Sequence, residues 1–172
     1  MKEKKKALLL VTVAAVAILG YAYEHQIRVF FSRSSGFDLT RIGFHDMAGR
    51  TYQIPEGYRG YVVFYSDLSG CTSCLRRLGP LKRFSEVYEE VGMFSILNDD
   101  TGAHGFAELM TSYDVPGEYL QDKLGQLKNR LHLGEHPLLL FFNRDQKLIA
   151  ILPLDVEYED LRKLLHQYAN EM

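Results

Sequence analysis

Between Tyr61 and Ser66 the chain reads Tyr-Val-Val-Phe-Tyr-Ser, a run of β-branched and aromatic residues with no polar interruption before its end. A strand covered on one face alternates apolar and polar residues, so an unbroken run is the pattern of a strand buried on both faces at the centre of a sheet. Such a sheet needs helices on both sides. The rest of the chain offers them in alternation with further strands.

From Cys71 onward Leu75, Leu78, Leu81, Phe84, Tyr88 and Val91 recur every three or four positions, while Arg76, Arg77, Lys82, Arg83, Glu86, Glu89 and Glu90 take the other face. That period predicts an amphipathic helix, kinked where Pro80 interrupts it. Met93 to Leu97 reads as a second buried strand. Phe106, Leu109, Met110 and Tyr113 predict a short helix stopped at Val115-Pro116-Gly117, and Leu120, Leu124, Leu127 and Leu131 predict another. Leu138 to Phe142 and Leu148 to Leu152 flank the polar Asn143-Arg144-Asp145-Gln146 and read as an antiparallel hairpin. Tyr158, Leu161, Leu164, Leu165 and Tyr168 mark a closing helix. Ahead of the central strand, Thr40 to His45 and Arg50 to Ile54 flank Asp46-Met47-Ala48-Gly49 and read as a further hairpin. The predicted class is α/β, a mixed sheet with helices on both faces.

Only two cysteines occur, Cys71 and Cys74, three positions apart. A loop so short removes little unfolded-chain entropy, so the pair suits redox exchange better than stapling. A structural zinc site asks for a second Cys or His pair at similar spacing, and none is present. A cysteine at a helix start faces unsatisfied N–H groups and the positive dipole end, which stabilise a thiolate. Cys71 is therefore the predicted attacking sulfur. Cys74 lies one turn on, on the same helix face, and is the predicted resolving sulfur. Thr72 and Ser73 can donate hydroxyl hydrogen bonds to the thiolate, and Arg76 and Arg77 add positive field. The bland reading of two cysteines in one helix is that they are small buried apolar residues. The strand, loop and helix context and an exported location speak against it.

The exported location rests on the N-terminus. Lys2, Lys4, Lys5 and Lys6 precede an uncharged run from Ala7 to Tyr23 that is apolar apart from Thr12. A helix of that length falls just short of the roughly 30 Å hydrocarbon core and needs its flanking tyrosines at the interface. The run reads as a retained transmembrane anchor; Gly20-Tyr21-Ala22, taken as a cleavage site, would make it a signal segment. The positive-inside tendency keeps residues 1–6 as a cytoplasmic basic tail and puts everything after residue 24 outside. The expected layout is an anchor over 7–23, a linker over 24–36 and a folded domain over 37–172. A net charge of -2 without a basic block beyond the tail excludes a nucleic-acid role.

Taken together, Cys71-Thr72-Ser73-Cys74 after an aromatic strand, a helix carrying Pro80, the segment Leu133-Gly134-Glu135-His136-Pro137 before a hydrophobic strand and the Asn143 to Gln146 turn resemble the thioredoxin superfamily. Within it the sequence is similar to the membrane-tethered branch typified by TlpA and ResA. The likeness covers residues 37 to 169. It implies a thioredoxin-like mixed sheet with an N-terminal β-hairpin, and an inserted helix between Val91 and Leu133. It also implies that Pro137 is a cis-proline packed beside the cysteines and that His136 lies against the sulfurs. The implied activity is thiol-disulfide exchange with protein disulfide or dithiol substrates, without cofactor or metal. A membrane protein would donate or accept the electrons, at the bacterial inner membrane with the domain in the periplasm or outside the cell. Reduction is the favoured direction, with cytochrome c biogenesis as its setting.

Two departures bear on the chemistry. Gly70 stands where many members carry Trp, and His136 replaces a common Thr. An imidazolium against the sulfurs would stabilise the thiolate and make the pair more oxidising. No acid lies on the central strand, which leaves Asp67 and Glu135 as candidate proton carriers. His45, His104, His132 and His166 are scattered and read as surface or packing residues. Two other functions compete. A peroxidase would use one low-pKa cysteine in a proline-containing loop, which Tyr65 to Gly70 lacks. A Cu(I) carrier would join Cys71, Cys74 and His136, although copper-carrying relatives usually space their cysteines wider.

Overall fold

The computed structural model describes residues 36–66, 75–98, 103–133, 137–154 and 157–172, with 103 and 104 as backbone only. The apolar run Tyr61 to Ser66 lies in strand β3 (Gly60–Ser66), and all seven residues of that strand are buried. On one side it pairs in parallel with β4 (Val91–Leu97), from Gly60 opposite Val91 to Ser66 opposite Leu97. On the other it pairs antiparallel with β6 (Leu138–Asn143), Tyr65 facing Leu138 and Gly60 facing Asn143. Beyond β6 lies β7 (Leu148–Pro153). Beyond β4 come β5 (Glu118–Gln121), then β1 (Phe44–Asp46) and β2 (Thr51–Tyr52), so the order is β2-β1-β5-β4-β3-β6-β7.

Because side chains alternate along a strand, β3 feeds two cores. Val62 and Phe64 point to the side covered by α1 (Gly79–Val87), α2 (Ala103–Ser112) and α4 (Tyr158–Glu171), where they meet Leu81, Phe84, Phe106 and Leu161. Tyr61, Val63 and Tyr65 point to the other side, covered by the segment around Phe37 and Leu39 and by α3 (Gln126–Leu131).

The helix expected from Cys71 to Val91 is shorter and divided. Arg76–Leu78 is a 3-10 turn, and α1 starts at Gly79 with Pro80 in its first turn, where a missing N–H breaks no helical bond. The expected kink is thus a change of helix type. Tyr88 closes α1 through its N–H to the Phe84 carbonyl, and Val91 opens β4 instead of extending the helical stripe.

The larger correction concerns Leu120, Leu124, Leu127 and Leu131. Leu120 is buried in β5, a strand where a helix was expected, and Leu124 is 70% exposed in the turn that follows. Helix begins only at Gln126. The open edge of β4 takes residues 118–121 as a parallel partner, Phe94 facing Glu118 and Leu97 facing Gln121, and that pairing overrides the helical spacing. Two backbone devices fix the boundaries. Gly117 has φ +101, and a Cβ there would collide with the Met93 carbonyl. Gly125 adopts the left-handed conformation just before α3.

The N-terminal hairpin is present but small. Asp46 ties its turn by accepting from the backbone N–H groups of Ala48 and Arg50, both at 2.9 Å, and from Arg50 Nε at 2.7 Å. Thr40 and Arg41, expected in its first strand, belong to a 3-10 turn (Leu39–Arg41) capped by Asp38. Ile54 lies past the end of β2. Tyr158, expected in the buried stripe of α4, is 44% exposed.

Candidate active site

In a sheet built this way, the carboxyl ends of the parallel strands are where the chain leaves the sheet and exposes backbone groups to a ligand. At that edge β3 ends on Ser66, which is buried. Its carbonyl accepts the Asn98 N–H at 2.9 Å, which carries the β3–β4 ladder one step further. Continuing the β3–β6 register by one step sets Pro137 opposite Ser66. Pro137 is buried, and its carbonyl accepts the Leu154 N–H at 3.2 Å, so it is held between the ends of β3 and β7. The chain returns on the other side at Leu75, which is 5% exposed and packs in the α1 core with Leu78. Arg77 reaches back from the 3-10 turn, its Nη1 donating to the Leu154 carbonyl at 3.5 Å.

Ser66, Pro137, Leu154, Leu75 and Arg77 thus gather at one edge, and residues 67–74 connect Ser66 to Leu75. Cys71 and Cys74 belong to that connection and lie outside the described residues, as do Thr72, Ser73, Gly70, Asp67, Glu135 and His136. The peptide bond entering Pro137 begins at His136, so its expected cis form lies outside them as well. The anchor segment 7–23 does too, and among the described residues no helix is long and apolar enough to cross a membrane.

A buried acid that the sequence reading missed stands at the same edge. Asp122 is 1% exposed, and burial pushes its carboxyl above the ordinary 3.8 against the opposing pull of backbone N–H groups. Its oxygens accept from Gln126 N at 2.8 Å and Leu127 N at 2.7 Å, and these hydrogen bonds make it a cap of α3. Asp122 directly follows β5, its N–H donating to the Leu97 carbonyl at 2.8 Å. The signal for it in sequence was an Asp followed by Gly125 ahead of Leu127, a capping pattern hidden inside an apparent leucine repeat.

The histidines do not gather. His166 is exposed and its Nδ1 lies 2.8 Å from the Tyr88 hydroxyl. His132 closes α3 in the left-handed conformation and is exposed. His45 is half-buried on β1, its Nδ1 covered and without a hydrogen-bond partner among the described residues. The side chain of His104 lies outside them. No group of three His, Cys, Asp or Glu side chains suited to a metal ion occurs among the described residues.

No family model matches the sequence, and no curated protein matches it. Solved structures do match. A secreted disulfide oxidoreductase of Mycobacterium tuberculosis, homologous to E. coli DsbE, superposes with a TM-score of 0.59 at 12% identity, over 74% of this chain and 96% of that one. The thioredoxin domain of a thiol-disulfide oxidoreductase from Bacteroides vulgatus gives 0.62 at 12% identity, over 81% and 100%. The fold is thioredoxin-like. Peroxidoxin BcpB of Mycobacterium tuberculosis gives 0.62 at 12% identity, over 81% and 98%. The stretch from Val91 to Leu133, expected to hold an inserted helix, builds β4, α2, β5 and α3.

Proposed function

We propose that this protein is a membrane-anchored, extracytoplasmic thiol-disulfide oxidoreductase that reduces disulfides in protein substrates through Cys71 and Cys74. One observation carries the reading. The chain's two cysteines follow in sequence the carboxyl end of β3, whose last residue, Ser66, stands across the register from buried Pro137. Two neighbours in fold are named as disulfide oxidoreductases, which fits the same chemistry.

In the forward direction the Cys71 thiolate attacks one sulfur of a substrate disulfide, and the other substrate sulfur leaves as a thiolate. Cys74, deprotonated, then attacks the Cys71 sulfur. The second substrate thiolate departs, and the pair is left as an intramolecular disulfide. Two electrons have passed to the substrate, and a membrane protein of dithiol type must return them. His136 and Pro137 form the wall against which the substrate chain lies. Lys2 to Lys6 and the apolar run 7–23 anchor the domain at the bacterial inner membrane, facing out.

Cys74→Ser expressed in the native cell tests the reading, because it leaves the mixed disulfide on Cys71 without a resolving sulfur. The expected result is a set of client proteins released from Cys71 by dithiothreitol. An empty Cys71, together with a wild-type pair inert to dithiols, would sink the proposal. The likeness to a peroxidoxin favours a second reading, a peroxidase on Cys71. Turnover of hydrogen peroxide in the absence of other thiols distinguishes it.

A further inference from the structure

At the carboxyl edge of the sheet the chain leaves β5 through a tight turn, residues 122–125, that is held together without its most exposed side chain. The Asp122 carboxylate accepts from the N–H groups of Gln126 and Leu127, the Gly125 N–H donates to the Asp122 carbonyl at 2.9 Å, and Gly125 holds a left-handed backbone, φ +59. Leu127 is fully buried, whereas Leu124 is 70% exposed and belongs to neither core. Two side-chain amides lie beside this turn. A Cβ on Gly125 would stand 3.3 Å from Asn98 Oδ1 and 3.6 Å from Asn129 Nδ2, so the missing side chain leaves room between them. Asn98 is half-buried and Asn129 exposed, and neither side-chain amide makes a hydrogen bond among the described residues.

Asn98 ties this patch to the candidate active site, because its backbone N–H donates to the carbonyl of Ser66, the last residue of β3. β5 stands two strands from β3, about 10 Å, which an extended chain covers in about three residues. The N–H groups that open α3 are spent on Asp122, so recognition here falls to side chains. A side-chain amide offers both donors and an acceptor, the complement of a peptide group, and an exposed leucine gains by covering another apolar side chain. We propose that Leu124, Asn98 and Asn129 form a docking subsite for an extended segment of the protein substrate, with the two amides on its peptide groups and one of its apolar side chains on Leu124. Resting on the proposed disulfide exchange, this subsite narrows the client to a locally unfolded chain with a large apolar residue about three positions from the reacting cysteine.

The test uses the full chain in lipid nanodiscs and two unstructured peptides with alanine in place of the reacting cysteine, one carrying Leu and the other Ser about three positions to either side of it. The side-chain NH2 resonances of Asn98 and Asn129 and the methyl resonances of Leu124 are followed by NMR. The expected result is a saturable shift with the Leu peptide, about tenfold weaker apparent affinity for the Ser peptide, and equal affinities for the two in Leu124→Ser. Shifts that do not saturate, equal affinities in the wild type or a preference retained in Leu124→Ser would overturn the subsite. Disulfide-bearing versions of both peptides separate it from the exchange reaction. Binding with the Leu preference but no reduction would leave the subsite standing and count against exchange, whereas reduction of both at one rate would leave exchange standing and overturn the subsite.

Discussion

At the scale of single residues, the proposed role of the two cysteines rests on a spacing and an expected helix start, and both cysteines lie outside the described residues. His136 is the residue on which the proposed direction of exchange turns. On the proposed placement of His136 against the sulfurs, replacing it by Thr removes an imidazolium, and the expected outcome is a more reducing pair. A tenfold fall in the dithiol-to-disulfide ratio, about 30 mV, should appear on equilibration with glutathione. Asp122 was not legible, because a cap is recognised only once its helix is known to begin at Gln126. Its raised pKa has a definite sign. The folded state holds this proton more tightly than the unfolded chain, so the stability it contributes is full below 3.8 and fades as pH rises through the folded value. Urea midpoints of wild type relative to Asp122→Asn should therefore fall as pH is raised from 3.8. A constant difference across that range would contradict the assignment.

Elements whose identity depends on their own sequence were read correctly, and those that depend on a partner were not. β3 and β6 are apolar up to their last residues, Ser66 and Asn143, and need no neighbour to declare them. β5 has four residues and an exposed, a half-buried and two buried positions, and only the free edge of β4 makes it a strand. The leucines that suggested a helix there divide among a strand, an exposed turn and the true α3. Gly117 is the hinge of that arrangement. Gly117→Ala would force an L residue to φ +101 and a methyl against the Met93 carbonyl. The expected loss is about 2 kcal/mol or more, read as a lower denaturant midpoint at unchanged slope. Pro80 teaches the converse lesson. It does not kink a helix here, because it sits in the first turn, where proline is well tolerated.

For the whole molecule, the alternation of strands and helices carried the α/β class and the inner strands of the sheet, while the order of its outer strands was not written locally. Spacing within a segment does not say that residues 118–121 lie between β4 and β1. The proposed anchor makes a separate prediction. The full chain should sediment with membranes and release its domain on proteolysis after residue 24. A membrane-impermeant maleimide added to intact spheroplasts should label Cys71, and the same reagent reaching it only after lysis would reverse the proposed orientation.

The antiparallel pairing of β3 with β6 also governs how the domain comes into being. Its partners lie more than seventy positions apart in the chain, whereas the β3–β4 pairs are joined across a single helical crossover. Contacts of such separation form late, because a long loop must close before any of them is rewarded. A chain emerging from its amino end therefore presents Cys71 and Cys74 well before Pro137 has been made. During that interval the thiols stand without the wall proposed to face them, open to whatever oxidant or neighbouring chain is at hand. Maturation of this protein should accordingly be most vulnerable to mispairing in the short period before its last hairpin docks.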